Sequence, residues 1–259
     1  MDSDLPYLPS EDRIMQICSN AVASGTEAVL SHHMGGNAVV AISDQLAVKF
    51  GGAVTSHEFD NQKIAHRLLL QEASIGVPKP YCFFQRGHVG YLVMDYIKEE
   101  TQPSDSLSAL EIVELLRIFA TIRNDRPGSL GGAPCYGLLW SEYHSFTPES
   151  IVDVEKHFSE RLRGVSDLAL SPYPAVLHHG DLAARNITKK GDRLYILDWA
   201  SAGYFPRLFE VAAMRRNSGD PLTLGVLDLM DSIAWLSKNE SAQADHVVKA
   251  ASLNIRYVV

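Results

Sequence analysis

His178-His179-Gly180-Asp181-Leu182-Ala183-Ala184-Arg185-Asn186, followed by the apolar run Leu194-Tyr195-Ile196-Leu197 and then Asp198-Trp199, is the stretch that decides the fold. An aspartate five residues before an asparagine suits a loop in which the carboxylate meets a hydroxyl and the amide meets a metal. Asp198 closes an apolar run and is expected at a strand end beside that loop. In-line phosphoryl transfer asks a protein for little covalent chemistry; it asks for a donor, a magnesium ion and an acceptor hydroxyl held in register. Asp181 would accept or orient the acceptor proton, and Asn186 and Asp198 would supply oxygen ligands to Mg2+. One carboxylate and one amide suffice, because magnesium keeps several waters and borrows phosphate oxygens.

Upstream, Ala38 to Ile42 and Leu46 to Phe50 read as a hairpin around Ser43-Asp44-Gln45, with Lys49 near its far end. Before it, a cap at Ser10 and the spacing of Ile14, Ile17, Cys18 and Ala21 predict a helix over 11–23. After it, a helix is expected from about Ser56 to Glu72, with Phe59, Ile64, Ala65, Leu68 and Leu69 available for the core. Gly76-Val77-Pro78-Lys79-Pro80 breaks that pattern, and Tyr81–Phe84 and Gly90–Met94 read as strands about an Arg86-Gly87-His88 turn. Beyond the polar segment 98–105 the pattern is helical, with Leu110, Val113, Leu116, Phe119 and Ala120 spaced for burial. A further helix is expected over 149–163, a hairpin turn at Lys189-Lys190-Gly191-Asp192, and helical material from Arg207 onward.

Composition narrows the function classes. With 259 residues, 46% of them hydrophobic, the chain can bury a core and has room for two lobes. It has no run of about eighteen apolar residues, and its acidic start lacks the features of a secretory signal, so a cytoplasmic protein without a membrane partner is expected. Cys18, Cys82 and Cys135 are odd in number and widely spaced, against both a disulfide framework and a zinc site on paired cysteines. A net charge of -8 disfavours nucleic acid as a partner and mildly favours a neutral or cationic substrate. Nothing in the residues sets an oligomeric state.

These residues resemble the aminoglycoside phosphotransferase family, which includes choline and related small-molecule kinases. In that family a His-Gly-Asp followed by four residues and Asn forms the catalytic loop, and an apolar run ending in Asp-Trp supplies the second metal ligand. Here these are His179-Gly180-Asp181, Asn186 and Leu197-Asp198-Trp199. The resemblance implies a two-lobed α+β fold of the protein-kinase type: a small N-terminal antiparallel sheet with one key helix (1–97), and a larger, mainly helical lobe (98–259). It implies Lys49 as the strand lysine that reaches the phosphates of ATP and Glu58 as its ion-pair partner. It implies Met94, Asp95, Tyr96 and Ile97 as the hinge that holds adenine through backbone groups. Val77-Pro78-Lys79-Pro80 and Ala202-Gly203-Tyr204-Phe205-Pro206 look most like the fungal branch.

Three departures stand out. Glu210 occupies a place where bacterial members usually carry Asp, and is expected to anchor the catalytic loop through hydrogen bonds. Met34-Gly35-Gly36-Asn37 is not the G-x-G-x-x-G of protein kinases, a pattern that family members often lack. Only eleven residues separate Asp198 from Glu210, which leaves no room for an activation segment with a peptide-docking surface and speaks against a protein kinase.

Plainer readings compete at several positions. Lys49 could be a solvated edge charge; Asp60 rivals Glu58; His178 and His179 read as structural, His179 packing under the loop and donating a hydrogen bond; Trp199 reads as core. Trp140, Glu142, Tyr143, Asp220, Asp228 and Asp231 are candidates to line an acceptor pocket. The expected activity is ATP- and Mg2+-dependent transfer of the γ-phosphate to a hydroxyl of a small molecule. The alternative is a catalytically idle nucleotide-binding or scaffold protein with the same fold.

Overall fold

The computed structural model describes residues 6–32, 36–98, 107–140, 145–162, 168–217 and 219–253. Helix α1 (Glu11–Ser24) opens on Ser10, whose side chain accepts the Arg13 amide, and ends at Gly25 in the left-handed region, φ 58°. It buries Ile14, Cys18 and Ala21 on one face of a five-stranded antiparallel sheet. That sheet has the order β1 (Val29–His32), β2 (Ala38–Ala41), β3 (Leu46–Gly51), β6 (Val89–Asp95), β5 (Pro80–Arg86). Strand β3 lies between β2 and β6, with Lys49 opposite Val39 on one side and Leu92 on the other. A lysine in a central strand is no edge charge, and Lys49 is buried.

Helix α2 (Ser56–Leu68), capped by Thr55, follows β3. Its buried positions are Glu58, Asn61, Gln62 and Ala65, a helical face that is mostly polar. Of the apolar positions expected in the core, Ala65 and Leu69 are buried, while Phe59, Ile64 and Leu68 are half-buried. The helix also stops short of Glu72. Leu69 is drawn into the core, and the chain turns so that β4 (Ile75–Gly76) pairs in parallel with β10 (Arg193–Ile196) of the other lobe. Arg193 reinforces the turn by donating to the Ile75 carbonyl at 2.8 Å and the Glu72 carbonyl at 3.2 Å.

The second lobe is mainly helical; it supplies β10 and β9 of one small three-stranded sheet, β4-β10-β9, and all of another, β7-β11-β8. Strand β9 (Ile187–Lys190) makes the expected hairpin with β10. The strands β7 (Gly128–Ser129), β8 (Ala175–His178) and β11 (Gly203–Pro206) are too short to show a period in sequence. Helix α3 (Ala109–Thr121) begins with a capping box of Ser108 and Glu111 and buries Ile112, Val113, Leu115, Leu116 and Phe119. Leu110 sits half a turn round the helix from Phe119 and is 60% exposed, against the expectation of burial. Helix α4 (Ile151–Leu162) buries Val154, Phe158 and Leu162. The C-terminal helical material divides into α5 (Leu208–Arg216), α6 (Pro221–Ser232) and α7 (Lys238–Leu253). One core cluster runs from Ala65 and Leu69 of α2 through α3, β10 and Trp199 to Met214, so apolar packing is continuous between the lobes. Among the described residues no helix is long and apolar enough to cross a membrane.

Gly76 has a steric reason: a Cβ there would lie 2.5 Å from the Tyr195 ring. Gly76→Ala is expected to cost about 1–3 kcal/mol of stability through overpacking, measured by denaturant unfolding. In a Tyr195→Ala background the same substitution should cost markedly less.

Candidate active site

Strand β8 ends at His178, His179 follows it into the interior, and the chain then turns at Gly180, φ 81°. A Cβ at Gly180 would meet the Ser201 carbonyl oxygen at 2.9 Å, so the turn is closed to other residues. Glu210, buried in the first turn of α5, holds the turn from behind. Its carboxylate accepts the His179 amide at 2.6 Å, the Gly180 amide at 3.2 Å and His178 Nδ1 at 2.9 Å. Burial alone pushes the Glu210 carboxyl up, but the His178 and His179 groups outweigh it and hold it at about 2.

His179 is fully buried against Trp199, with ring centroids 4.9 Å apart. Its Nδ1 accepts the Asp181 amide at 3.3 Å, which places the ring hydrogen on Nε2, and Nε2 donates to the Leu197 carbonyl at 3.0 Å. Burial depresses the His179 pKa despite the carboxylates of Glu210, Asp181 and Asp198, so the ring stays neutral. The expected packing and donating role is the one the geometry gives.

Asp181 follows, and its carboxylate is held by three side chains. Arg185 donates to both oxygens at 2.5 and 2.7 Å, Asn186 Nδ2 to one at 3.0 Å, and Asn217 Nδ2 at 3.3 Å. Asn186 Nδ2 also donates to the Asp181 carbonyl at 2.7 Å. Both its amide hydrogens are therefore engaged, which leaves Oδ1 as the group with capacity for a cation. The Asn186 carbonyl accepts the Leu197 amide at 2.8 Å, so the loop and the strand end carrying Asp198 are tied one residue from each functional group.

Asp198 adopts the left-handed conformation, φ 64° and ψ 67°, at a cost of order 1–3 kcal/mol for a residue with a side chain. Its flanks keep it there: Leu197 by the bonds just described, Trp199 by burial and by donating from Nε1 to the Ile196 carbonyl at 2.9 Å. Lys49 Nζ reaches Glu58 at 2.6 Å and Asp198 at 2.9 Å. The Asp198 side chain is 37% exposed, whereas Glu58 is buried. Burial disfavours the Lys49 ammonium, but the two carboxylates outweigh it and raise its pKa. Burial and the nearby Asp198 push Glu58 above the usual carboxylate range against the pull of Lys49; for Asp198 burial is outweighed by Lys49, and its pKa is lowered. Asp60 is exposed, so the choice between the two acidic residues falls on Glu58.

A central-strand lysine paired to a helix glutamate and to a strand-end aspartate, next to an Asp/Asn loop, can now be set beside known folds. No family profile matches the chain, and no curated protein matches it in sequence. Solved structures do match. A thermostable mutant of aminoglycoside phosphotransferase APH(4)-Ia, in ternary complex with AMP-PNP and hygromycin B, aligns over 92% of this chain and 88% of its own with a TM-score of 0.58 at 11% identity. The streptomycin-ATP-APH(2")-IIa ternary complex aligns over 96% and 90%, TM-score 0.56, at 16% identity. A Haemophilus somnus protein provisionally named a fructosamine-3-kinase aligns over 95% and 97%, TM-score 0.53, at 14% identity. The chain has the kinase-like fold of the aminoglycoside phosphotransferases.

Within this kinase-like fold, Met94 to Ile97 lie where β6 leaves the sheet. The Asp95 side chain accepts the Lys79 amide at 3.0 Å and the Tyr81 hydroxyl at 2.6 Å. The Asp95 and Tyr96 amides donate to the Lys79 and Gln45 carbonyls. Those two amides are committed within the protein, while Met94 Sδ accepts from Gln62 at 3.4 Å. Asn61, Gln62 and Asn217 escaped the sequence reading because they carry no motif; the one available signal was the polar i, i+3, i+4 spacing of Glu58, Asn61 and Gln62. Trp140 is core, packed between Phe158 and Phe205, and Asp220 caps α6 by accepting the Leu222 and Thr223 amides. Asp228 and Asp231 are solvent-exposed. Met34, Gly35, Glu142 and Tyr143 lie outside the described residues.

The depressed Glu210 pKa predicts an acid transition of stated sign. Its contribution to stability is fully present above its ordinary 4.5 and is lost as pH falls through about 2. Melting temperatures of wild type and Glu210→Gln between pH 6 and 2.5 should converge as pH falls; curves that stay parallel would contradict the assignment.

Proposed function

We propose that the chain is a member of the aminoglycoside phosphotransferase and choline kinase-like family, an ATP- and Mg2+-dependent kinase for a hydroxyl of a small molecule. The observation that carries the reading is Lys49 bridging Glu58 and Asp198 beside the Asp181–Asn186 loop. In this reading the N-terminal lobe ends at Ile97, and the nucleotide lies between it and the lobe of residues 98–259. Two of the structural neighbours hold ATP or AMP-PNP together with an aminoglycoside, which supports nucleotide binding in this cleft. The exocyclic amine of adenine needs a carbonyl and a ring nitrogen needs a donor; with the Asp95 and Tyr96 amides already used, the donor falls to Ile97.

Lys49, kept charged and aimed by Glu58, is the group for the phosphates. Asn186, through Oδ1, and Asp198, through its ionised carboxylate, are the pair that fit Mg2+, and both are oxygen donors of the hard type this ion prefers. When bound, the ion neutralises charge on the phosphate oxygens. Asp181 receives the acceptor hydroxyl: the acceptor oxygen bonds to the γ-phosphorus, the bond from that phosphorus to the bridging oxygen breaks, ADP departs, and the hydroxyl proton passes to the carboxylate. Arg185, half-exposed, must give up one of its contacts to admit that hydroxyl. That contact is the feature that speaks for the idle alternative, and turnover decides between the two. A peptide acceptor is disfavoured because the chain passes from Asp198 through one short turn into β11, which is buried.

Mg-ATP at about a hundred times its Kd should add roughly 2.7 kcal/mol of stability, seen as a raised melting temperature. No shift with millimolar Mg-nucleotide overturns both readings; a shift without ATP consumption across a library of small hydroxyl compounds favours the idle one. Asp181→Asn should lower kcat about a hundredfold or more while leaving the affinity for Mg-ADP within about twofold, by steady-state kinetics and calorimetry.

A further inference from the structure

Asn61 is buried in the middle of α2, one turn from Glu58, and every hydrogen-bonding group of its side chain is in use. Its Oδ1 accepts the Gly131 amide at 2.8 Å and the Ser129 hydroxyl at 2.9 Å. Its Nδ2 donates to the carbonyls of Trp199 and Ala200 at 3.1 Å each and, more weakly, Ala202 at 3.4 Å. The amide orientation is not arbitrary: a backbone N–H on one side and three carbonyls on the other permit only this one. The carbonyls belong to the turn that begins immediately after the strained Asp198. The same turn is fastened again by the Leu130 amide donating to the Ala202 carbonyl at 3.1 Å.

Resting on the kinase reading above, we infer that Asn61 is a positioning residue for the metal-holding carboxylate. Lys49 can hold Glu58 and Asp198 together only if α2 and the turn 199–202 keep a fixed separation, and Asn61 is the side chain that spans it. The buried Asn61 amide ties the helix that carries Glu58 directly to the turn that follows Asp198. A lost tie would leave Lys49 and the hinge able to bind nucleotide, yet would let Asp198 relax out of its left-handed conformation and away from the cation. The defect is therefore expected in the magnesium-dependent part of nucleotide affinity and not in the rest.

The test is calorimetry of ADP binding with Mg2+ and with EDTA, on wild type, Asn61→Ala, the gentler Asn61→Ser, and Arg193→Ala. Arg193→Ala removes a different tie between the lobes, the one to Glu72 and Ile75, and controls for loosening in general. Asn61→Ala should lower the Mg2+-dependent gain in ADP affinity by about 10- to 100-fold, the range typical for residues that orient metal ligands. Asn61→Ser, which retains one hydroxyl, should lower it less and serves if the alanine variant does not fold. Affinity in EDTA should stay within about twofold, and Arg193→Ala should leave the Mg2+-dependent gain unchanged. Equal losses with and without Mg2+, an unaltered gain in both Asn61 variants, or the same loss in Arg193→Ala would each overturn the inference. Wild type without any Mg2+-dependent ADP binding would instead overturn the kinase reading on which it rests.

Discussion

Two carboxylates, Glu58 and Asp198, approach one another in a largely dehydrated space, and the Lys49 ammonium between them is what makes that arrangement tolerable. Charges removed from water persist only when paired, and breaking a buried pair by deleting one partner costs about 3–5 kcal/mol. Because Lys49 comes from β3, Glu58 from α2 and Asp198 from the second lobe, the requirement for pairing becomes a requirement on the relative placement of three elements. Asp198, whose pKa Lys49 lowers, is the more exposed of the two carboxylates and carries negative charge toward solvent. A cation is the natural complement of such a site.

The loop of residues 178–186 meets the same demand by other means. Glu210 is buried without a lysine or arginine, and its charge is carried by two backbone amides and a histidine. His179 is buried as a neutral ring because both of its nitrogens find backbone partners. The buried Glu210 carboxylate and the buried His179 ring are thus satisfied by their neighbours, which is why burying them here is not a liability.

What could be read in the sequence divides along a physical line. Asp181, Asn186 and Asp198 could be singled out because phosphoryl transfer would use those residue types at that spacing, and Lys49 and Glu58 because the family resemblance implied them; the fold brings Lys49 to Glu58 and Asp198, and Asn186 to Asp181. The hairpin at β2 and β3 and the helix α1 were legible because burial follows period and cap. Asn61, Gln62 and Asn217 were not, since their partners are carbonyls or side chains far away in sequence, and a buried amide looks like a surface amide until those partners are in place. Around α2 the usual inference held only in part: Ala65 and Leu69 are buried and Ile64 and Leu68 pack against the core, but the rest of the inward face is polar because Glu58, Asn61 and Gln62 meet Lys49 and backbone carbonyls. Strands β7, β8 and β11 were missed because two to four residues carry no period, and Leu110 because one apolar residue at the start of a helix weighs as much in a pattern as one facing the core.

The parallel rung between β4 and β10 sits one short connection from the end of β6, since the chain runs from Gly76 through Lys79, whose amide is bound by Asp95, into β5. Arg193 adds its bonds to the Glu72 and Ile75 carbonyls. The segment 75–80 is thus bonded on one side to β10 and on the other to the end of β6, so any change in the angle between the two sheets would have to break one of these contacts before it reached Lys49 or Asp181.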